Sequence, residues 1–228
     1  MTKFPCSELQ ENQISTEIYE IAFGDLPSAL GDITIPTLIN AALSFILASL
    51  AKTDDVVFGV VTNTRDIPLP QAQTILGYCI NRLPFRVCLA QVRNVNDLFR
   101  LLHDQYAQSL PFCHLGFSDI RAKSTDWSSD TKLGCILNHL VVDNNSPLSL
   151  KDGGSISRSF SMGHVDLQDE LMIWSKPGNG KLKIQVLTSN RIMDSEQAGL
   201  LAEQLIDTAN AFSRSPEASL SSMSFLHT

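Results

Sequence analysis

The residues best suited to acid–base chemistry lie around His139, in the stretch Asn-His-Leu-Val-Val-Asp-Asn that begins at Asn138. Asp143 follows the histidine by four positions in this stretch. Histidine can accept or donate a proton near neutral pH, because its unperturbed pKa lies close to that range. The spacing alone is short enough to occur by chance, so a hydrogen-bonded core histidine is the alternative interpretation. His139 is nevertheless the best candidate acid or base in the chain.

Other familiar chemical motifs are absent from the sequence. The five histidines are scattered, and no Cys/His spacing is typical of zinc. Gly153 and Gly154 form only a lone pair, which is too little for a phosphate-binding loop, and no G-x-S-x-G nucleophile elbow occurs. We therefore predict no metal site and no cofactor, although the sequence does not decide whether coenzyme A enters.

Composition and charge narrow the class of protein. The chain has 228 residues, of which 43% are hydrophobic and 18% are charged, as is typical of a globular domain. Its formal net charge is −7, which argues against nonspecific binding to nucleic acid or to an anionic membrane. We predict a protein that binds neither.

The cysteines and the hydropathy of the sequence predict in which cellular compartment the protein lies. The five cysteines include no C-x-x-C pair, so buried free thiols in a reducing compartment are the plain interpretation. The start of the chain lacks the apolar core of a secretory signal. The most apolar run, from Ala41 to Ala51, is too short to span a bilayer. These features predict a soluble, cytoplasmic protein.

The elements that would position these residues can be predicted from periodicity. The helix expected from about Pro36 to Leu50 is apolar on almost its whole circumference, which predicts that it is buried. Within residues 181–188, apolar and polar residues alternate, as in a strand with one buried face. The expected strands are 56–61, 85–89, 133–142, 171–175 and 181–188, residues 18–23 could form one more short strand, and the further expected helices are 94–109 and 194–212.

One pattern in the first half of the chain is more specific than any element. A strand of the type D-V-x-F-G is followed by an arginine and then by G-x-x-x-N-x-x-P-x-R. The residues that carry it are Asp55, Val56, Phe58, Gly59, Arg65, Gly77, Asn81, Pro84 and Arg86. This combination resembles the C-terminal lobe of the condensation domains of nonribosomal peptide synthetases, especially the fungal ones. The stretch STDWSSD at residues 124–130 is similar to a fungal signature, with Trp127 as an expected packing anchor.

The resemblance covers about residues 30–226 and implies a fold. That fold is a chloramphenicol-acetyltransferase-like α/β two-layer sandwich, in which a mixed β-sheet carries helices on one face. We accordingly expect an acidic N-terminal lead-in over residues 1–30 and a single domain like a condensation-domain C-lobe over residues 31–228. The N-terminal lobe of the resembled domains is expected to be missing.

The resemblance also bears on the chemistry. The catalytic motif of the resembled domains, H-H-x-x-x-D-G, lies in their N-terminal lobe, and this sequence has no His-His pair. Conventional amide formation is therefore not expected. The resemblance implies that Arg65 and Asn138 face the substrate tunnel, and we take them, with Asp143, as candidate substrate-binding residues.

A second candidate follows from the shared fold of the two lobes. By that pseudo-symmetry the junction from Ser189 to Ser195 corresponds to the catalytic motif, with Asn190 in place of the catalytic histidine and Asp194 as the retained aspartate. Asparagine cannot act as a base near neutral pH, but its amide can donate a hydrogen bond to an oxyanion. The alternative is that Asp194 only caps a helix.

Three hypotheses for the function remain open. The first is a free-standing truncated enzyme of fungal secondary metabolism that cyclises, isomerises or acylates a small peptide or polyketide-derived intermediate. The second is a noncatalytic lobe that completes a synthetase partner or docks a carrier protein, and the third is an excised fragment of a synthetase. A lone lobe would expose an apolar face, so we also predict a homo-oligomer.

Overall fold

The computed structural model describes residues 14–22, 33–66, 70–77, 79–140, 148–149, 151–156, 170–178 and 181–223. The strands are β1 (Ile14–Ala22), β2 (Asp55–Asn63), β3 (Ile80–Cys88), β4 (Cys135–His139), β5 (Leu148–Ser149), β6 (Ser155–Ile156), β7 (Leu171–Gly178) and β8 (Lys181–Ser189). The α-helices are α1 (Ile35–Ala51), α2 (Val95–Ser109), α3 (Phe117–Ser124) and α4 (Ser195–Arg214).

A mixed sheet organises the described part of the chain, with its strands in the order β1-β8-β7-β4-β2-β3. The β2–β3, β7–β8 and β1–β8 pairs are antiparallel, whereas β4 runs parallel to both β2 and β7. Strands β5 and β6 form a separate two-stranded ladder. Residues 14–22, which lie inside the predicted lead-in, form the edge strand β1.

One face of the sheet packs against the long helices. Alternate residues of β2, β4 and β8 point to this face, and their apolar side chains are buried, among them Phe58 and Val60 on β2, Leu137 on β4 and Ile184 on β8. They form one core with buried residues of α1, α2 and α4. We call this side of the sheet the helix face.

The opposite side, which we call the second face, carries a smaller apolar cluster. Val57 on β2 and Ile136 on β4 are buried there together with Leu133, and Phe117 and Trp127 pack against them. Trp127 is thus the packing anchor that the sequence predicts. The prediction of helices on one face holds for the three long helices, while the short helix α3 lies on the second face through Phe117.

The glycine within β2 is explained by a close approach of β4. A Cβ atom on Gly59 would lie 3.0 Å from Leu133 Cδ1 and 3.2 Å from Ile136 Cγ1. Pro84 directly precedes the predicted strand 85–89, but in the structure it lies within β3, opposite Gly59. Because β3 is an edge strand of this sheet, only one of its sides needs hydrogen bonds, and such strands tolerate proline.

Most predicted elements are present with shifted ends. The predicted strands 171–175 and 181–188 are confirmed as β7 and β8, which pair with each other in antiparallel fashion. The predicted strand 133–142 begins two residues too early, since β4 starts at Cys135. Leu133 lies before the strand and packs into the second-face cluster. The last residues of the predicted strand, 141–142, lie outside the described residues. Among the helices that the structure describes, none is both long and apolar enough to cross a bilayer.

Candidate functional site

His139 ends β4 and turns its side chain to the helix face. Its Nδ1 lies 2.9 Å from the Ser175 hydroxyl oxygen on β7, and its Nε2 lies 3.2 Å from Asn40 Oδ1 on α1. The amide oxygen of Asn40 can only accept, so the tautomer that satisfies both contacts carries its proton on Nε2. In that tautomer the Ser175 hydroxyl donates to Nδ1. A histidine therefore links a helix to two strands.

The surroundings of His139 keep it neutral. Its side chain is half-buried, but both ring nitrogens face partners that are buried, Asn40 and Ser175. Burial lowers the pKa of His139 from 6.5 to about 4. The Ser44 hydroxyl donates to the backbone carbonyl of Asn40 at 2.6 Å, which fixes that turn of α1. At neutral pH the arrangement is a neutral hydrogen-bonded bridge.

Asn138 lies on the other side of the sheet from His139. Successive residues of a strand point to opposite faces, so Asn138 belongs to the second face. The strand register places it beside Trp174 on β7, and Trp174 lies opposite Gln185 on β8. The Lys176 ammonium sits 4.5 Å from the centre of the Trp174 ring. In this part of the second face, the Trp174 ring is therefore flanked by the side-chain amides of Asn138 and Gln185.

The structure therefore separates His139 from Asn138, because the two residues occupy opposite faces of the sheet. Arg65 follows the C-terminal end of β2, which is the end that lies level with Asn138 in the parallel register of β2 and β4. Asp143 lies outside the described residues. Asn190 occupies the turn between β8 and α4 and is half-buried. Its role as an oxyanion donor stays a prediction.

Two residues of the sequence motif, Arg65 and Asn81, hold turns. The Arg65 guanidinium donates to the backbone carbonyls of Ile75 and Gly77 at 3.0 and 2.9 Å. The Asn81 amide donates to the carbonyls of Cys113 and Leu115 at 2.8 and 2.6 Å. Each side chain satisfies two carbonyls on either side of one residue, which fixes the turn between them.

Two further motif residues form an ion pair. Arg86 on β3 donates to both carboxylate oxygens of Asp55 on β2, with a shortest distance of 2.6 Å. The hydrogen bond from Arg86 lowers the pKa of the Asp55 carboxyl. Both side chains are exposed, so the pair contributes little to stability. Its bidentate geometry instead fixes the register between the two strands.

The aspartate of the β8–α4 junction has a structural role. Asp194 accepts a hydrogen bond from the Gln197 backbone N–H at 2.8 Å, and the Gln197 side chain accepts one from the Asp194 N–H. This is a capping box, which satisfies two donors at the start of α4. The N-cap interpretation of Asp194 is confirmed.

Sequence reasoning missed two residues of the histidine bridge, Asn40 and Ser175. A signal for Asn40 was present, because it and Ser44 are polar residues in a helix that is otherwise predicted to be buried on all sides. A buried polar side chain needs a partner, so Asn40 could have been flagged. No comparable signal marks Ser175.

Within the described residues there is no group of three or more His, Cys, Asp or Glu side chains that could hold a metal ion. The cysteines that the structure describes are free thiols. Burial raises the pKa of Cys135 to about 12, so this thiol is unreactive at neutral pH.

The architecture and its neighbours define the class of protein. A mixed sheet with long helices on one face is the chloramphenicol-acetyltransferase-like α/β sandwich, and solved structures that include a starter condensation domain superpose on the chain. The chain belongs to the condensation domain family, whose model matches residues 28–228.

Individual relatives agree with this assignment. The nonribosomal peptide synthetase fmqA of Aspergillus fumigatus is 34% identical over 220 residues, which cover 96% of this chain and 5% of that protein. The crystal structure of CT superposes with a TM-score of 0.85 at 29% identity and covers 96% of this chain and 49% of the other. The starter condensation domain of rhizomide synthetase RzmA, in complex with C8-CoA and Leu-SNAC, has a TM-score of 0.77 at 19% identity, which shows the fold alone.

The coverage has a direct structural meaning. The chain spans about half of the CT structure and 50% of the RzmA domain, but only a small fraction of the synthetase fmqA. A coverage of about half of each solved structure agrees with the prediction that the chain corresponds to one lobe of a two-lobed domain.

Proposed function

We propose that this chain forms one wall of a condensation-type site for a small peptide or polyketide-derived intermediate. In this proposal the paired-histidine chemistry is supplied by another lobe, and a carrier protein or synthetase partner delivers the substrate. The observation that carries the proposal is the hydrogen bonding of His139, whose two ring nitrogens are both engaged by Asn40 and Ser175.

The electrostatics of His139 support the same conclusion. A general base works best when its pKa lies near the operating pH. A histidine with a pKa of about 4 stays unprotonated at neutral pH, but it binds a proton weakly and would have to break the Ser175 hydrogen bond to do so. We therefore treat His139 as a residue that positions α1 on the sheet.

The second face offers chemistry that suits a peptide-like substrate. Asn138 and Gln185 carry amides that can both donate and accept, and they flank the Trp174 ring. Amides of this kind match the N–H and C=O groups of a peptide. The Trp174 ring between them is buried, so it supports the two amides rather than offering contact area itself. In the proposal, Asn138 contacts the substrate while His139 does not.

The alternative is a free-standing enzyme that cyclises, isomerises or acylates its substrate without the paired-histidine motif. His139 would then be the acid or base, with Asn190 as an oxyanion donor. The two functions differ in whether the chain alone turns over a thioester, and this difference can be measured.

The test uses the purified chain and a peptidyl N-acetylcysteamine thioester. We expect binding, followed by tryptophan fluorescence, to weaken about tenfold in Asn138→Ala, which is the usual value of one or two hydrogen bonds. We expect no product above the uncatalysed background, and the same result for His139→Ala. His114→Ala, at an exposed histidine, is the matched control.

Two results would contradict the proposal. The first is turnover by the chain alone that falls by about 100- to 10,000-fold in His139→Ala but not in His114→Ala, because a positioned acid–base group has that effect. The second is thioester binding that is unchanged in Asn138→Ala. Thermal unfolding of each variant separates these effects from loss of the fold.

A further inference from the structure

Lys176 places a positive charge over the part of the second face that carries Asn138 and Gln185. Its ammonium lies 4.5 Å from the centre of the ring of Trp174, which precedes it by two residues on β7. The strand register puts Asn138 on one side of Trp174 and Gln185 on the other. This part of the sheet therefore presents a cation above a ring that two side-chain amides flank.

The neighbours of Lys176 do not balance its charge. Opposite Lys176 on β8 lies a second cation, Lys183, whose own neighbour on β1 is Glu20. On the other side of Lys176, β4 is followed by Leu140, which is apolar. None of the ion pairs formed by the described residues includes Lys176. Lys176 is therefore a cation with no carboxylate partner in the described part of the chain.

An ammonium in this position is unfavourable for the fold. Lys176 is half-buried, and burial, together with the charge of Lys183, lowers its pKa. Like charges directly opposite each other on paired strands are destabilising. Attraction to the face of the Trp174 ring offsets part of this effect. An anion bound beside Lys176 would be attracted by both lysines and would relieve their repulsion.

The donors around Lys176 match a carboxylate. An ammonium has three N–H donors and no acceptor, and the amides of Asn138 and Gln185 have two N–H donors each. A carboxylate has only acceptors, and its hydrogen bonds to charged donors are stronger than those between neutral groups. The formal net charge of the chain is −7, so this cation does not belong to a protein that attracts anions in general.

We propose that Lys176 binds a carboxylate of the substrate, so that the second face accepts an acyl or peptidyl thioester with a free carboxyl group. Lys176 is then the residue that selects this class of substrate, with Asn138 and Gln185 as further donors. The inference rests on the proposed function, because it names the substrate class of the same face. A phosphate has similar charge chemistry, so the experiment includes a phosphate as well.

Calorimetric titration of the purified chain with two matched probes tests the proposal. One probe is the adipoyl thioester of N-acetylcysteamine, which ends in a carboxylate, and in the other probe an amide replaces that carboxylate. We expect the carboxylate probe to bind at least about tenfold more tightly, because hydrogen bonds to charged groups are stronger than neutral ones by about that factor. Added salt should reduce this preference, since it screens the charges.

Two lysine variants show where the preference arises. Lys176→Met keeps the length of the side chain and removes its charge, so it should bind both probes alike, with about the affinity that wild type has for the amide. Lys52→Met, at an exposed lysine that follows α1, is the matched control and should keep the preference. Thermal unfolding checks that both variants are folded.

Three outcomes would overturn the proposal. Equal affinities of wild type for the two probes would show that the face does not select a carboxylate. A preference that persists in Lys176→Met would place the carboxylate elsewhere, and the ammonium would then serve the Trp174 ring alone. Pantetheine 4′-phosphate that binds through Lys176 more tightly than the carboxylate probe would assign the cation to a phosphate.

Asn138→Ala separates this inference from the proposed function. If this variant weakens the binding of both probes while wild type shows no preference between them, the face binds substrate but not through a carboxylate. If Asn138→Ala changes neither affinity while the preference depends on Lys176, the proposed contact of Asn138 is wrong and the carboxylate site stands.

Discussion

Replacing Phe58 with alanine is expected to lower the free energy of unfolding by about 3–5 kcal/mol, the usual loss for a buried phenylalanine. Phe58 has 0% of its side chain exposed and lies on the helix face of β2. Its ring centre is 5.6 Å from that of Phe85, its partner on β3. Truncation would leave a cavity where the sheet meets α1. Domains are typically stable by about 5–15 kcal/mol, so this loss is a large share.

Urea denaturation of the purified chain measures the effect. Phe112→Ala is the matched control, since it removes the same atoms from a ring that is 57% exposed, and we expect a change below about 0.5 kcal/mol. A loss of less than about 1 kcal/mol for Phe58→Ala would mean that Phe58 is not a core residue. The motif phenylalanine would then need another explanation.

The pH dependence of stability is the second large effect. Unfolded, His139 titrates near a pKa of about 6.5, whereas burial lowers its pKa in the folded chain to about 4. Between these values the unfolded chain binds a proton that the folded chain does not. The contribution of this group is therefore full above pH 6.5 and is lost progressively as the pH falls to 4. The linkage amounts to at most about 3 kcal/mol.

The measurement is the free energy of unfolding at several pH values between neutral and mildly acidic. Carboxylates also titrate in this range, so wild type is compared with His139→Gln, which keeps hydrogen-bonding atoms but cannot titrate. We expect the variant to lose less stability than wild type as the pH falls. His114→Gln, at an exposed site, should follow wild type. Parallel curves for wild type and His139→Gln would show that His139 titrates alike in both states.

Periodic elements could be predicted from the sequence, because their signal is local. The alternation of Leu182, Ile184 and Val186 with polar residues is the pattern of a strand with one buried face, and all three are buried in β8. The continuous apolar character of α1 likewise indicates a helix inside the core. Asp194 and Gln197 have the spacing of a capping box, and they form one.

The site could be predicted less well, because its contacts join distant parts of the chain. His139 contacts Asn40, which lies 99 residues earlier in the chain, and no local sequence pattern predicts that contact. Asn81 likewise reaches carbonyls 32 and 34 residues later. Strand alternation alone would have shown that Asn138 and His139 cannot line the same surface.

The pairing of β1 with β8 has a consequence for how the chain is made. Each residue of β1 has its partner on β8 more than 150 residues later in the chain. Ile14, for example, lies opposite Ser189. During synthesis β1 emerges before β8, and it cannot form this pairing until β8 has left the ribosome. Contacts of such long sequence separation form late and slow folding. Until then β1 is an unpaired strand, and unpaired strands are sites of aggregation. A chain released before residue 181 is synthesised would therefore be prone to aggregate, even though its β2–β3 hairpin could already have formed.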